Sequence, residues 1–460
     1  MTKRIHVALL LASSLATAQA SGADLMDIYR LALDNDPQLL EAEATRRAAE
    51  ENRPQALAGL LPTVNLQGQW DDRDSEGVTT GPAFVGAGVV SANQFSDADR
   101  LSWTLQLSQP LFRWDRWVAL KRADKQIALE EANYAAARQA LAVRVAERYF
   151  AVLGAQDTLA AEQANKEAIA RQLEEAETRF DVGLIAVTDV YESRSAYDQS
   201  VAAEIGAKRT LATALENLRE VTGEYAASDL GAPGEDLPLL APEPADQETW
   251  VREAMNQNLT VAANRLQVDI AGDDIKSQRT GHYPTLDLVV QRDHFDSDGT
   301  RFNVLGGQAQ GGLDQSDFDT DTIALQFSVP IFNGGAVRSR VRQAVHQQRA
   351  AKQRLERVSR ETERATRDAF LGVEAEIARV NALAQAVTSS ETALEATEAG
   401  FDVGTRTSVD VLNARRDLFR AQTNFRAARY EYLLNVVRLK QAAGTLKLAD
   451  LQEINRWLTH

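Results

Sequence analysis

Two long stretches of the chain combine a helical pattern of apolar and polar positions with a complete lack of proline. One lies between Pro110 and Pro233, and the other follows Pro330. In the first stretch, apolar residues recur every seven positions, at Leu120, Ile127, Tyr134 and Leu141. Because proline breaks helix interiors and this period is typical of helices packed along their length, we predict long helices near 113–179 and near 336–400. Each would be on the order of 100 Å long.

Short segments with strict two-residue alternation precede each long helix. Val64 and Leu66, for example, alternate with Thr63 and Asn65. The alternation predicts β-strands, in which successive side chains point to opposite faces. The predicted strands lie near 62–72, 100–109, 284–292 and 321–329. The polar, Gly-, Ser- and Asp-rich segments 72–99 and 295–320 are predicted to be loops.

Two interpretations of these strands are open. A soluble antiparallel sheet with one solvated face alternates in the same way as an outer-membrane strand with one face on lipid. The polar face consists mainly of Thr, Ser, Asn and Gln, which suits a watery lumen and favours the membrane interpretation. Four strands cannot close a barrel, since the smallest natural barrels have about eight. The membrane interpretation therefore requires several chains, whose number the pattern does not fix.

The two helical stretches belong to an internal repeat. Phe180–Gly183 recurs 221 positions later as Phe401–Gly404, and Leu105–Phe112 resembles Leu325–Phe332. A repeat of this length indicates duplication of a whole fold rather than a solenoid unit. The predicted organisation is a signal peptide at 1–20, a first structural repeat at 21–224, a proline-rich linker at 225–246, a second structural repeat at 247–445 and a C-terminal segment at 446–460.

The N-terminus and the composition restrict the location and the chemistry. Lys3 and Arg4 precede an apolar segment and the small-residue site Ala18-Gln19-Ala20, the three parts of a secretory signal peptide. The 460 residues carry a net charge of −16, which argues against nucleic-acid binding because phosphate neutralisation needs clustered Lys and Arg. Cysteine is absent, so the chain has no disulfide and no thiolate metal site.

The sequence favours no enzymatic function. Its five histidines are dispersed at His6, His282, His294, His346 and His460. No metal-ligand spacing, nucleophile motif or phosphate-binding loop is present. We therefore expect no catalytic site, no metal site and no cofactor.

Dispersed motifs then identify a family resemblance that runs from about Asp24 to the C-terminus. The chain resembles the TolC family of outer-membrane exit ducts, which serve drug efflux pumps and type I secretion systems. The matching segments include Leu25–Tyr29, Asn35–Pro37, Lys166–Ile169, Arg171–Leu173, Gly281–His282, Pro284–Leu288, Gly404–Thr407, Val409–Leu412, Ala428–Tyr430 and Tyr432–Asn435.

The resemblance implies a mainly α fold with a small membrane β part. Each chain would contribute two repeats of helix, strand, strand and helix to a homotrimer. The trimer would form a twelve-stranded β-barrel in the outer-membrane lipid, standing on a twelve-helix periplasmic α-barrel. The implied partners are a periplasmic adaptor protein and, through it, an inner-membrane pump of the RND, ABC or MFS class. The implied function is passive exit, gated at the periplasmic helix-hairpin tips.

The resemblance also implies links that hold the gate closed. Arg406 would bond to Thr188 and Asp189, and Gln172 would pair with Glu398. A tyrosine that supplies a further link in the family is replaced here by Phe401, so one link is missing. On its own, Arg406 would be interpreted as a solvated surface residue, whose ion pairs contribute only about 0–1 kcal/mol.

Asp410 has two competing interpretations. Thr407-Ser-Val-Asp410 fits a helix N-terminal capping box, in which the carboxylate accepts from the local backbone. The family resemblance instead implies a ring of three carboxylates in the lumen that binds cations. A second family aspartate ring is replaced by Asn413, which predicts weaker cation selectivity and weaker cation block.

Gly183 and Gly404 are predicted to form sharp turns between paired helices, because such turns need small residues. The resemblance adds that the adaptor docks beside them, at Val182, Gly183, Leu184, Val403, Gly404 and Thr405. An alternative function is that of a periplasmic or secreted coiled-coil scaffold without channel activity, which the long helices alone would permit.

Overall fold

The computed structural model describes residues 23–82, 89–225, 230–234, 236–305 and 308–459. The expected signal peptide at 1–20 lies outside the described residues. The helices are α1 (Leu25–Asn35), α2 (Pro37–Glu50), α3 (Asn52–Ala58), α4 (Trp114–Asp181), α5 (Val187–Thr222), α6 (Gln247–Gln257), α7 (Leu259–Arg279), α8 (Ala336–Asp402), α9 (Ser408–Ala442) and α10 (Leu448–Arg456). The strands are β1 (Thr63–Pro82), β2 (Val89–Phe112), β3 (Ala232–Pro233), β4 (Thr285–Leu305), β5 (Gln308–Leu313), β6 (Ser316–Ser328) and β7 (Leu458–Thr459).

The fold is mainly helical, and two helices dominate it. Helix α4 has 68 residues and α8 has 67, which corresponds to about 100 Å each. Both are free of proline and rich in Ala, Glu, Gln and Arg, so backbone hydrogen bonding and helix propensity are satisfied throughout. None of the helices in the described part of the chain is long and apolar enough to cross a membrane.

The chain divides into two compact units. In the part of the chain that the structure describes, the first unit comprises residues within 23–44, 132–263 and 356–459, and the second comprises residues within 45–131 and 264–355. The second unit holds an antiparallel sheet in which β1 pairs with β2, β2 with β4, and β4 with both β5 and β6. The first unit is helical, apart from the short pair β3–β7.

The strands are longer than the sequence pattern predicted. The prediction of loops at 72–99 and 295–320 was wrong for most of these residues, because β1 continues to Pro82, β2 begins at Val89 and β4 continues to Leu305. An antiparallel ladder is held by backbone hydrogen bonds, which Asp, Ser and Thr residues can make as well as apolar ones. Apolar alternation therefore marks only the half of each strand with an apolar face.

One face of the sheet carries an exposed apolar band. Leu66 and Leu105 are opposite each other in β1 and β2, and Leu288 and Leu325 are opposite each other in β4 and β6. Leu66 is 71 % exposed and Leu325 is 66 % exposed in the single chain. A contiguous apolar surface of this kind is rare on soluble monomers and marks contact with lipid or with another chain.

The core of the first unit lies where α1, α4, α5, α9 and α10 meet. Its fully buried side chains include Tyr149 and Tyr432, whose hydroxyls bond to backbone groups. An ion pair joins the half-buried Arg144 to the buried Asp36 at 2.6 Å. Further along, Tyr430 donates to Asp157 at 2.6 Å, and burial together with this carboxylate raises the pKa of the Tyr430 hydroxyl far above its usual range. The Tyr430–Asp157 bond fixes α9 against α4.

Candidate functional site at the helical hairpin tips

The first hairpin joins α4 to α5. Gly183 has a φ of +76°, a left-handed conformation that residues with a side chain adopt at a cost. The Gly183 N–H donates to the Phe180 carbonyl at 2.9 Å, and the Leu184 N–H donates to the Arg179 carbonyl at 2.8 Å. These two bonds satisfy carbonyls that the end of α4 would otherwise leave unpaired. The predicted sharp turn at Gly183 is confirmed.

The second hairpin joins α8 to α9 with the same turn. Gly404 has a φ of +78°. The Gly404 N–H donates to the Phe401 carbonyl at 3.0 Å, and the Thr405 N–H donates to the Gly400 carbonyl at 2.8 Å. The sequence repeat between the two hairpins is therefore a repeat of backbone hydrogen bonds, and the turn predicted at Gly404 is confirmed.

The two hairpins differ at the start of their second helix. In the second hairpin, the Asp410 N–H donates to the Thr407 hydroxyl at 3.2 Å, and the Thr407 N–H donates to the Asp410 carboxylate at 2.9 Å. This is a complete capping box. In the first hairpin the N-cap is Ala186, which has no side-chain acceptor, and its N–H alone donates to Asp189, at 3.3 Å.

The capping interpretation of Asp410 is therefore confirmed within the chain. The backbone N–H and the hydroxyl of Thr407 both donate to the carboxylate and hold the pKa of Asp410 below its ordinary value. The luminal ring implied for Asp410 and Asn413 would join neighbouring chains, and it stays a prediction. Asn413 is exposed and lines a groove of about 490 Å³ with residues of α4 and α5.

Gln172 and Glu398 lie close together but bond to other groups. Both line a cavity of about 630 Å³ between α4, α8 and α9. The Gln172 side-chain amide donates to the Ser408 carbonyl at 3.0 Å, whereas Glu398 forms an ion pair with Arg415 of α9. The amide oxygen of Gln172 is buried and, among the described residues, accepts no hydrogen bond. The Gln172–Glu398 pair is thus not formed within one chain, and a pair between chains stays a prediction.

Arg406 lies exposed on the loop and folds back over its own hairpin. A Cβ atom at Gly400 would be 2.8 Å from Cγ of Arg406, so the side chain occupies the space that the glycine leaves open. In the described part of the chain, no hydrogen bond or ion pair connects Arg406 to Thr188 or Asp189. The link implied by the family resemblance would join neighbouring helix pairs, and it also stays a prediction.

Phe401 makes a contact that sequence reasoning missed. The Arg179 guanidinium, at the end of α4, lies 4.8 Å from the centre of the Phe401 ring. The same guanidinium forms an ion pair with Glu175 at 2.5 Å. Arg179 and Phe401 are 222 positions apart, and neither residue type indicates the other, so no signal in a single sequence could have found this pair.

A second missed feature is repeated in both hairpins. Glu177 of α4 pairs with Arg194 of α5 at 2.7 Å, and Glu398 of α8 pairs with Arg415 of α9. The two pairs occupy equivalent positions of the 221-residue repeat. Comparing the repeats for charges that recur at the same separation could have found them. Each pair joins the two helices of one hairpin near its tip.

The residues predicted for adaptor docking form an exposed tip surface. Val182 is 66 % exposed, Leu184 is 73 % exposed and Val403 is 75 % exposed. Gly183, Gly404 and Thr405 are exposed beside them. Exposure of apolar side chains to water is unfavourable, and burial of these side chains against a partner would be favourable. The docking itself stays a prediction.

The fold and the tips match a known class of channel proteins. The model of a protein family described as "Outer membrane efflux protein" matches residues 28–224 and 250–445. The chain therefore belongs to the outer membrane efflux protein family. Members of this class are channel proteins, and the chain is accordingly an outer-membrane channel for efflux and secretion that extends into the periplasm.

Individual relatives cover nearly the whole chain. The outer membrane protein TolC of Escherichia coli is 34 % identical over 464 residues, which cover 100 % of this chain and 90 % of the relative. The alkaline protease secretion protein AprF of Pseudomonas aeruginosa is 29 % identical, with coverage of 93 % and 86 %. Among solved structures, CusC superposes with a TM-score of 0.73 at 16 % identity, covering 93 % of this chain and 95 % of that one. The last similarity concerns the fold alone.

Proposed function

We propose that three copies of the chain assemble into one duct, with a twelve-stranded barrel in the outer membrane and a twelve-helix barrel below it. The observation that carries the proposal is the pair of open sheet edges: among the described strands, β1 pairs only with β2 and β6 pairs only with β4. In lipid, each unpaired backbone group costs several kcal/mol. A neighbouring copy removes this cost by pairing its β6 with β1.

The proposed organisation follows the repeat. The first repeat spans 21–224 and the second spans 247–445, with a linker at 225–246 and a C-terminal segment at 446–460. The match of the family model over two separate segments, 28–224 and 250–445, supports this division. The signal peptide at 1–20 would direct export.

The proposed role is passive exit for drugs and secreted proteins. Energy would come from an inner-membrane pump of the RND, ABC or MFS class, which a periplasmic adaptor connects to the hairpin tips. The exposed apolar side chains of Val182, Leu184 and Val403 support an adaptor surface there. The relatives named for protease secretion support protein export, and the relative named BepC, an outer membrane efflux protein, supports efflux.

The proposed gate is the ring of hairpin tips. Links from Arg406 to Thr188 and Asp189 of a neighbouring helix pair would hold it closed. Asp410, already the capping residue of α9, would face the lumen and bind cations, with Asn413 weakening that binding. Both roles are compatible, because a carboxylate has two oxygens and the capping bonds involve one of them.

Assembly and conductance test the proposal together. The purified protein in detergent should have three times the mass of the chain, partition with the outer membrane and conduct ions in planar bilayers. A monomer that stays in the periplasm and does not conduct would favour the scaffold function instead. For the cation site, Asp410→Ala should weaken block by a divalent cation applied from the tip side, whereas unchanged block and selectivity would remove Asp410 from the lumen.

A photocrosslinking residue at Leu184 or Val403 tests the adaptor surface. It should trap an adaptor protein in cells that express the pump components. The matched control is the same residue at Ile205, which is 63 % exposed on α5 and away from the turns. Crosslinks at Ile205 and none at the tips would contradict docking at the turns.

A further inference from the structure

Two contacts near the tips join the first hairpin of a chain to the second. The Arg179 guanidinium lies 4.8 Å from the centre of the Phe401 ring, and the Gln172 side-chain amide donates to the Ser408 carbonyl at 3.0 Å. Arg179 and Phe401 are each in the last turn of a long helix, immediately before the glycine turns. The contact between Arg179 and Phe401, called the ring contact below, is the nearer of the two to the tip.

Each hairpin is also braced internally. The ion pairs Glu177–Arg194 and Glu398–Arg415 connect the two helices of a hairpin within about one turn of α4 and α8 from the ring contact. A hairpin braced in this way tends to move as a unit. Movement at the tips would therefore occur between the hairpins, where Arg179 meets Phe401.

The geometry of the ring contact makes it sensitive to such movement. A cation is attracted to an aromatic face only within about 6 Å of the ring centre. From 4.8 Å, a displacement of the second hairpin by a few ångströms breaks the contact. Arg179 is also paired with Glu175 of its own helix at 2.5 Å, which fixes the guanidinium on α4 and limits its ability to follow the ring.

We propose that Arg179 and Phe401 form a clasp that holds the two helical hairpins of one chain together and stabilises the closed state of the gate. The clasp deepens the proposed gating function and rests on it. It is a contact within one chain, and thus acts separately from the links that Arg406 is proposed to make with a neighbouring helix pair. Opening would separate the ring from the guanidinium while both hairpin braces stay intact.

The test is a set of variants measured for open probability in planar bilayers. Phe401→Leu removes the aromatic face and keeps most of the apolar volume, and Arg179→Gln removes the charge. Each should raise the open-to-closed ratio by about 2- to 5-fold per chain, the range for an exposed cation–π contact. Phe401→Tyr keeps the ring face and should not raise the open-to-closed ratio, and a rise equal to that of Phe401→Leu would overturn the clasp.

Phe180 provides the matched control. It is the equivalent ring of the first hairpin and is 41 % exposed, so Phe180→Leu should leave the open-to-closed ratio unchanged. In the double variant Arg179→Gln with Phe401→Leu, the ratio should rise no further than in either single variant. Multiplied effects would mean that the two residues act independently, which would overturn the clasp.

The outcomes distinguish a failure of the clasp from a failure of the proposed channel function. If the unmodified protein forms no channel, the proposed function fails. If it forms a gated channel and Phe401→Leu matches Phe180→Leu, the clasp alone fails. Trimer content in native gels identifies a variant that fails to assemble. In that case Arg179→Lys, which keeps the charge, decides the question. It should restore at least half of the closed-state stability, and an open-to-closed ratio equal to that of Arg179→Gln would overturn the clasp.

Discussion

The two hairpin tips have the same backbone and different surfaces. Both turn at a left-handed glycine, and both are braced by a Glu–Arg pair at equivalent positions. They differ at the helix start, where Thr407 caps α9 with its side chain and Ala186 cannot cap α5. The duplication has thus kept the turn and the Glu–Arg pair of each hairpin and changed the residue that caps its second helix.

The position of the tip arginine is the clearest difference. Arg179 directly precedes Phe180 in the first hairpin, and the equivalent position of the second hairpin is Gly400. Arg406 lies in the loop of the second hairpin, and the equivalent position of the first hairpin is Ile185. Arg179 reaches the ring of the other hairpin, whereas Arg406 lies over Gly400. The two arginines therefore have different surroundings within the chain: Arg179 lies between the two hairpins, and Arg406 lies over the turn of its own hairpin.

Replacing the loop arginine should have the largest effect. Arg406→Ser removes the proposed links to Thr188 and Asp189 and is expected to raise the open-to-closed ratio in planar bilayers by at least about 10-fold, because a hydrogen bond to a charged group contributes ~1.5–3 kcal/mol. Ile185→Ser, the equivalent change in the first hairpin, should have little effect. Equal effects of the two changes would mean that the tips are functionally alike.

Gly400→Ala should have the next largest effect. The added Cβ would be 2.8 Å from Cγ of Arg406 and would displace that side chain. Alanine also favours helix over glycine by roughly 0.5–1 kcal/mol, so α8 should become more stable while the gate opens several-fold more often. Thermal unfolding and bilayer recordings measure the two effects separately.

Gly206→Ala is the control for this change. Gly206 lies within α5, and a Cβ there would meet nothing within 4 Å. It should stabilise its helix without altering the gate. A Gly400→Ala channel that gates normally would show that the position of Arg406 does not depend on the glycine.

The capping difference should have a smaller and local effect. Thr407→Ala makes the second helix start like the first and should destabilise it by about 1 kcal/mol. Hydrogen exchange of the amides at 408–411 should become faster, while exchange at 187–190 stays unchanged. The reverse change, Ala186→Thr, should slow exchange at 187–190, and a lack of any change there would mean that the cap is not limiting.

The same cap should respond to pH. Because the folded-state pKa of Asp410 lies below its ordinary value, the capping box contributes stability above the unfolded-state pKa and loses it as the pH falls through the folded-state pKa. Amide protection at 408–411 should be constant from about pH 5 to pH 8 and decrease below about pH 4. A decrease near pH 6 instead would point to another titrating group.

The braces should have the smallest effect. Glu177→Gln and Glu398→Gln each remove an ion pair that is partly exposed, so each should change stability by only about 0–1 kcal/mol. Arg415 is 24 % exposed and Arg194 is 59 % exposed, so Glu398→Gln should cost more than Glu177→Gln. Thermal unfolding of the two variants side by side measures the difference, and the reverse order would contradict this account.

Much of this architecture could be predicted from the sequence. The absence of proline and the seven-residue period predicted α4 and α8, and Thr407-Ser-Val-Asp410 predicted the capping box. These features are local, since each depends on residues a few positions apart. The outer half of the sheet was missed because Asp- and Ser-rich segments carry no apolar alternation, although their backbone pairs equally well.

The tip contacts depend on the packing of helices, for which the sequence carries little signal. Glu398 has several possible partners at similar distances along the helices, and only the equivalent pair Glu177–Arg194 of the first repeat favours Arg415 over Gln172. The Arg179–Phe401 contact likewise depends on how two helices far apart in the chain are placed together. For Arg179 and Phe401, a single sequence contains both residues and no information about their pairing.

The length of strand β2 has a further consequence for proteolysis. Strand β2 has 24 residues, which span about 80 Å along the strand, well beyond the roughly 30 Å of a bilayer's hydrocarbon core. Residues 93–99 of β2 are hydrogen-bonded to β1 on one side and to β4 on the other. A protease binds its substrate in the active-site cleft as an extended chain with unpaired backbone groups. The backbone of residues 93–99 is already paired on both edges. Residues 93–99 of β2 are thereby protected from digestion by their own ladder, without a disulfide or a compact domain around them.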